Sequence, residues 1–390
     1  MKMVALGDIV SVAGGGTPRK SNAEYFGGEI PWVTPKDMKN AVIKNSLITL
    51  THLGIRNSPA KLVPAGSVLV VVRSGVLKHT LPVALAARAV TLNQDMKALI
   101  PSAAIDSSYL ARLVKSIQPT VLTWVRATTA DNFPIDKLLE HQINLPPLSE
   151  QRRIAAILDH ADQLRRQRSK VQSDLDELIE SAFQQMFDES AHDWPIVSLG
   201  DLITLGPQNG LYRPAHQYGS GVPIVRIDSF QIGSPIEIAN LKRVELSESD
   251  AVPYILKDGD IIVNRVNART HLGKATMVTG LAETTVFESN MMRLRLDVQK
   301  VTPEYVDAAL RTPQVKRQIQ TAAKDAVNQS SINQQDVINL KICLPPLELQ
   351  HRYIRLRKEI HEQQATCRRS LIAIDHLFAS LQSRAFRGEL

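Results

Sequence analysis

The chain has two cysteines, Cys343 and Cys367. Two cysteines give no disulfide framework, and their spacing fits no zinc site. Both read as packing residues in a chain suited to a reducing cytosol. No apolar run approaches the roughly 18 residues that a membrane span needs. The opening Met1-Lys2-Met3-Val4-Ala5-Leu6 breaks at Gly7-Asp8, too soon for the apolar region of a signal peptide. The expectation is a cytoplasmic protein with no membrane partner.

Catalytic signatures are missing as well. There is no Walker A loop, and Gly14-Gly15-Gly16 lacks the further glycine of a dinucleotide fingerprint. The ten histidines form no His-Glu-x-x-His pattern. Asp37-Met38-Lys39 and Asp95-Met96-Lys97 have an Asp-x-Lys form, but such triplets are common by chance, and a nuclease needs spaced carboxylates for magnesium. An adenine methyltransferase would need a cofactor loop and an Asn/Asp-Pro-Pro-aromatic motif. Both Pro-Pro pairs of this chain sit between leucines instead. No catalytic residue, cofactor site or metal site is expected.

What is present is duplication. Leu6-Gly7-Asp8-Ile9 recurs as Leu199-Gly200-Asp201-Leu202, displaced by 193 residues. Ile30-Pro31-Trp32-Val33 recurs as Val222-Pro223-Ile224-Val225, and Pro64–Val70 answers Lys257–Val263 loosely. Leu145-Pro146-Pro147-Leu148-Ser149-Glu150-Gln151 recurs as Leu344-Pro345-Pro346-Leu347-Glu348-Leu349-Gln350, displaced by 199. The period is half of the 390 residues, which excludes a short-repeat solenoid. Each copy opens with a mixed α/β part. It has β-rich runs such as Val68–Val72 and Asp260–Val263, and a short helix near 108–114 or 304–310. A Leu-Pro-Pro-Leu break then leads into a long helix.

The first long helix is expected over 150–188, where neither Gly nor Pro intervenes, with Ser149 as its N-cap. Ile154, Ile157, Ala161, Leu164, Val171, Leu175, Leu178 and Ala182 make a heptad stripe, with Arg168 in the remaining seam position. About 39 residues at 1.5 Å each give a rod of roughly 58 Å. The second, over 347–386, keeps the heptad at Tyr353, Leu356, Ile360, Gln363 and Cys367. It resumes after a one-residue slip at Leu371, Ile374, Phe378 and Leu381, with Gly388 beyond its end. Residues 146–189 hold 6 basic and 9 acidic side chains, and 344–390 hold 8 and 5. These opposite balances favour the two rods pairing with each other. The fold class is therefore α+β: two similar mixed α/β globular parts, two long helices forming an antiparallel coiled coil, and a pseudo-twofold internal repeat. The segments are 1–145, 146–189, 190–343 and 344–390.

This order, with Gly15-Gly16-Thr17-Pro18 after the opening and Ala385-Phe386-Arg387-Gly388-Glu389-Leu390 at the close, resembles the specificity subunit of type I restriction–modification systems. The resemblance covers essentially the whole chain. It implies two target recognition domains, each reading one half of a bipartite double-stranded DNA site, and helices that set the spacing. It also implies docking of two adenine-N6 methyltransferase subunits, with motor-nuclease subunits in the full complex. No cofactor falls on this chain; the partners would use S-adenosylmethionine, ATP and Mg. Glu348-Leu349-Gln350 departs from the usual Glu-Gln pair.

A net charge of +7 and a pI near 9.3 permit a nucleic-acid partner. Residues 1–145 hold 16 basic and 9 acidic side chains, whereas 190–343 hold 16 of each, so the first part should supply more of the salt-dependent affinity. Phosphates call for Lys and Arg, and base edges for Arg, Asn, Gln, Ser and Thr. In the first part the candidates are Thr17, Arg19, Lys20, Lys36, Arg73, Ser74, Lys78, Arg126 and Thr128, the first three in a Gly-rich loop that a ligand could approach closely. In the second they are Gln208, Asn209, Tyr212, Arg213, Arg226, Arg265, Asn267, Arg269, Asn328 and Gln329. The rival reading is a non-DNA coiled-coil scaffold with two protein-binding modules.

Overall fold

The computed structural model describes residues 2–126, 131–188, 192–327 and 329–390. Contacts divide the chain into two units, one of residues 1–171 with 367–390 and one of residues 172–366.

In the first unit the strand Val68–Val71 is buried along its whole length. Its side chains alternate between two cores. Val68 and Val70 pack with Leu6, Leu99, Tyr109 and Leu110, while Leu69 and Val71 pack with Val33, Ala84, Val90 and Met96. A strand covered on both faces reads as a continuous apolar run. The five-stranded sheet runs Val10–Gly14, Met96–Pro101, Val68–Val71, Val83–Ala86, Val42–Ile43. Beside it, Phe26–Val33 pairs in parallel with Val90–Leu92 and antiparallel with Thr49–Leu50.

The second unit repeats this framework. Its sheet runs Ile203–Asn209, Met291–Leu296, Ile261–Asn264, Ala275–Met277, and Tyr218–Val225 pairs in parallel with Val286–Phe287 and antiparallel with Lys242–Val244. The closing strand pairs agree in register: Val4 faces Ile143 in one unit and Val197 faces Ile342 in the other. Those partners are displaced by the 193 and 199 residues read from the sequence. The units are not identical: among the described residues the first unit's sheet has a fifth strand, Val42–Ile43, that the second unit's sheet lacks. At the edge of the first unit, Arg73 and Arg126 each bridge to Asn132 among the described residues. The second unit builds a three-stranded sheet there, from Val266–Asn267, Gln329–Ser331 and Lys324–Ala326.

Two long helices, Leu148–Met186 and Leu347–Arg387, pack against each other and run antiparallel. Each unit's core takes in the start of one and the end of the other. Ile154, Ala155 and Leu158 join Ala385 in the first unit, and Phe183 and Phe187 join Tyr353 in the second. The first helix starts at Leu148, so Ser149 lies within its first turn rather than capping it, and the Pro147 carbonyl accepts from Gln151 N at 3.0 Å. The second ends as expected, with Gly388 at φ +77°, a left-handed stop that favours glycine.

The seam differs from the apolar stripe. On the first helix Leu164, Val171 and Leu178 are exposed, at 40, 41 and 47%. The packed face instead carries Ile154, Leu158, Ala161 and Arg165. Arg165 Nε donates to Asp375 Oδ1 at 2.6 Å, and its guanidinium lies 4.8 Å over the Phe378 ring. The side chain of Arg168 is exposed, and its carbonyl accepts from Cys367 Sγ at 3.4 Å. On the second helix Gln364 replaces Gln363 in the seam, donating to Asp176 Oδ1 at 2.7 Å. With Gln364 in place, the series Ile360, Gln364, Cys367, Leu371, Ile374, Phe378, Leu381, Ala385 alternates steps of four and three without a slip. Polar side chains in the seam hid the true register. The pair Arg165–Asp375 also places its cation on the net acidic helix, so net charge does not explain this contact.

This register makes a stability prediction. Leu158 is fully buried, so Leu158→Ala should destabilise the first unit by about 2–5 kcal/mol. Leu164→Ala should change it by no more than about 0.5 kcal/mol. Urea unfolding of the two variants checks the assignment, and equal effects contradict it.

Burial, followed by the charge of Glu150, pushes the Tyr109 hydroxyl up to about 12. The side chain is 1% exposed, and its ring lies 5.5 Å from that of Phe386. The unfolded chain ionises near 10, so the folded state holds a proton that the unfolded state loses. The associated stability is intact below pH 10 and is lost as pH rises towards 12, a fall on the order of 2–3 kcal/mol. Tyr109→Phe should flatten that decline in unfolding curves taken between pH 9 and 11.5. An unchanged decline in the variant contradicts the assignment.

Candidate nucleic-acid interface

In the first unit the Gly-rich loop is anchored before its polar residues begin. Gly16 N donates to Leu92 O at 2.8 Å, and Trp32 Nε1 donates to Gly16 O at 3.0 Å. A Cβ on Gly15 would stand 1.8 Å from Asn93 O, and one on Gly16 2.4 Å from Pro59 C. The glycines are therefore needed for packing against the protein's own backbone. Thr17 follows, its hydroxyl donating to Gln94 Oε1, and then the exposed Arg19 and Lys20.

The turn at Asn93–Asp95 ties this loop to the next candidates. Arg73 Nε donates to Asp95 Oδ1 at 2.6 Å, and Asn93 Nδ2 donates to Asp95 Oδ2 at 2.9 Å. Ser74 N donates to Asp131 O at 2.9 Å, Lys78 Nζ lies 3.9 Å from Asp131 Oδ2, and Arg126 N donates to Asn132 O at 2.8 Å. Thr17, Arg73, Ser74, Lys78 and Arg126 thus meet along one edge, joined through Gln94–Asp95 and Asp131–Asn132. Lys36 stands apart. It lines a groove of about 1060 Å³ with Lys39, Lys115 and the helix residues Arg165 and Arg166. Thr128 lies outside the described residues.

In the second unit Tyr212, Arg213 and Arg226 line a cavity of about 460 Å³ with Tyr218, Lys242 and Glu288. Arg213 Nη2 donates to Asp250 Oδ2 at 2.8 Å. Arg226 Nε donates to Glu288 Oε2 at 3.1 Å, and its guanidinium sits 5.2 Å over the Tyr218 ring. Arg265 forms a separate edge, its Nη1 donating to Ser289 O at 2.9 Å. Asn267 and Gln329 stand beside it in the three-stranded sheet, with Arg269 paired to Asp325. Gln208 is committed internally: Nε2 donates to Pro253 O at 2.9 Å, and Oε1 accepts from Arg293. Asn209 is exposed, and Asn328 lies outside the described residues.

The two surfaces stand at the same place in the repeated framework. Val72 N and Arg73 N both donate to Asp95 O, as Arg265 N and Val266 N both donate to Asn290 O. Asn93-Gln94-Asp95 and Glu288-Ser289-Asn290 are therefore counterparts, and neither turn was among the candidates. The signal for them was present, since each precedes a methionine at matching points of the repeat. The loops above the turns differ. Gly16 and Leu211 make equivalent backbone bonds, and Asn22 and Pro214 start equivalent turns. The stretch between them is Thr17–Ser21 in one unit and only Tyr212–Arg213 in the other. Asn264, the counterpart of Val71, is fully buried, and neither end of its amide has a partner.

Chemically, both surfaces offer guanidinium, ammonium, amide and hydroxyl donors of the kinds that meet phosphates and base edges. Among the described residues no group of three or more His, Cys, Asp or Glu is placed to hold a metal ion, and no helix is long and apolar enough to cross a membrane.

Twin frameworks with unequal loops, each joined to paired long helices, define a protein with two variations on one binding module. Residues 1–172 match the family model of the type I restriction modification DNA specificity domain. The chain is 40% identical over 162 residues to the EcoR124I/EcoR124II specificity subunit of Escherichia coli, a stretch that spans 41% of this chain and 40% of that one. It is 23% identical over 413 aligned positions to the MjaIX specificity subunit of Methanocaldococcus jannaschii, covering 98% of this chain and 92% of that one. A chain solved in a study of complex assembly and conformational transition of the type I R-M system shares the fold, with a TM-score of 0.64 at 17% identity, over 100% of this chain and 98% of that one. The family match rests on residues 1–172, and the likeness that runs the length of the chain is to a type I restriction enzyme specificity subunit.

Proposed function

We propose that the chain reads a bipartite DNA sequence for a type I restriction–modification complex. Residues 1–145 and 190–343 act as the two target recognition domains, and residues 146–189 and 344–390 act as the helical spacer. One observation carries this reading: a single framework is built twice, and it bears different donor-rich loops at the same place. Equal frameworks fix how each module meets a duplex, and unequal loops let each read a different half-site. The spacer helices also dock two adenine-N6 methyltransferase subunits, and motor-nuclease subunits complete the complex. S-adenosylmethionine, ATP and Mg are held by those partners, in the cytoplasm, and this chain performs no chemistry itself.

The test is selection from randomised duplexes with the full chain and its methyltransferase partner. The expected outcome is enrichment of two short specified blocks separated by a constant unspecified gap. Enrichment of no sequence supports a protein scaffold instead.

A further inference from the structure

Each globular part is fastened to a long helix by one fully buried glutamine. Gln151 Oε1 accepts from Asp106 N at 2.8 Å, while its Nε2 donates to Ala104 O at 3.0 Å and Pro146 O at 2.9 Å. Gln350 Oε1 accepts from Thr302 N at 2.8 Å and from its hydroxyl at 3.0 Å, while its Nε2 donates to Pro345 O at 2.8 Å. Asp106 and Thr302 are the N-caps of the helices Ser107–Ser116 and Pro303–Ala309. The same amide therefore joins the proline entry of a long helix to the first turn of a globular helix, twice in one molecule. Only a primary amide can accept on one arm and donate twice on the other; a carboxylate has no donor and an apolar chain has neither.

A second fastening lies beside each glutamine. In the first unit Arg112, on the globular helix, reaches Asp159 at 2.7 Å and Asp162 at 3.1 Å on the long helix. In the second the charges exchange sides: Asp307, on the globular helix, is met by Arg311 at 2.9 Å and by Arg357 of the long helix at 3.1 Å. The two copies use different charged contacts beside the glutamine, Arg112 lying six residues and Asp307 five residues after the N-cap of its globular helix. Apolar packing at Leu158 and Tyr353 already holds the parts together. Directional hydrogen bonds add a fixed angle.

We infer that Gln151 and Gln350 are positioning residues that hold each reading module at a set angle on its helix, and so restrict the protein to one gap length between half-sites. The inference rests on the bipartite reading proposed above. Each added base pair moves a half-site by about 3.4 Å and turns it by about 35° about the duplex axis. A joint fixed in angle does not follow that turn, whereas a loosened one does.

The experiment uses the full chain with its methyltransferase partner and a series of duplexes with both half-sites constant and the gap stepped by single base pairs. The parent protein should bind its preferred gap at least about tenfold more tightly than gaps one pair longer or shorter. In Gln151→Met and Gln350→Met, which keep length but lose the amide, that preference should fall below about threefold while half-site sequence preference is retained. Should these variants not fold, Arg112→Gln loosens the same joint from the partly exposed outer contact and carries the same expectation. A folded variant that keeps the sharp gap preference overturns the inference, as does one that changes half-site sequence preference alone. If the parent protein shows no preference for paired half-sites over random duplex, it is the bipartite reading that fails.

Discussion

Exchanging residues 190–343 for the matching stretch of a relative is expected to rewrite one half of the recognised sequence and leave the other half and the gap as they were. The reason is structural. The described contacts of the second candidate surface, from Tyr212 to Gln329, lie within residues 172–366, and the edge holding Thr17, Arg73 and Arg126 lies within residues 1–171. Each wrong base pair costs about 1–3 kcal/mol, so three changed positions amount to discrimination on the order of 10³-fold between old and new sites. The exchange leaves Phe183, Phe187 and Tyr353 behind. These rings pack on Tyr305 at centroid distances of 5.7 and 4.9 Å for the two phenylalanines, so the donor stretch must supply an aromatic ring at that position. Selection from randomised duplexes reads the outcome, and changes in both halves contradict it.

Removing one heptad from both long helices, residues 166–172 with 367–373, should move the preferred gap to a shorter length. The cut preserves the seam, because steps of four and three repeat every seven residues across Arg165, Gln364 and Cys367. Seven residues at 1.5 Å shorten each rod by about 10.5 Å, the rise of about three base pairs. Half-site sequences should be unaffected. Removing a heptad from one helix alone should abolish paired half-site binding, because the antiparallel register no longer closes. An unchanged gap after the double deletion contradicts a spacer role for the helices.

The duplicated order was readable because the copies keep backbone-determining residues. The Leu-Gly-Asp turn, the Pro-Pro entry and the buried strand recur at displacements that the structure repeats in Val4–Ile143 and Val197–Ile342. The rods were readable as helices but not in register. Arg165 and Gln364 occupy seam positions that an apolar count skips, and the exposed row Leu164, Val171, Leu178 was read in their stead. The grouping of some candidate residues in space was legible. Arg73, Ser74, Lys78 and Arg126 converge although 53 residues separate the ends of the set. Gln208 looked available by type, but its amide is held by Pro253 and Arg293. Such commitments depend on residues distant in sequence, here 45 and 85 positions away, and no local pattern announces them.

The most direct test is to sequence modified adenines in the genome of the cell that carries this chain, with and without its gene. The account predicts one bipartite motif, an N6-methylated adenine in each half and an invariant gap, present with the gene and absent without it. A motif that persists after deletion, or one with a single undivided block, contradicts the account.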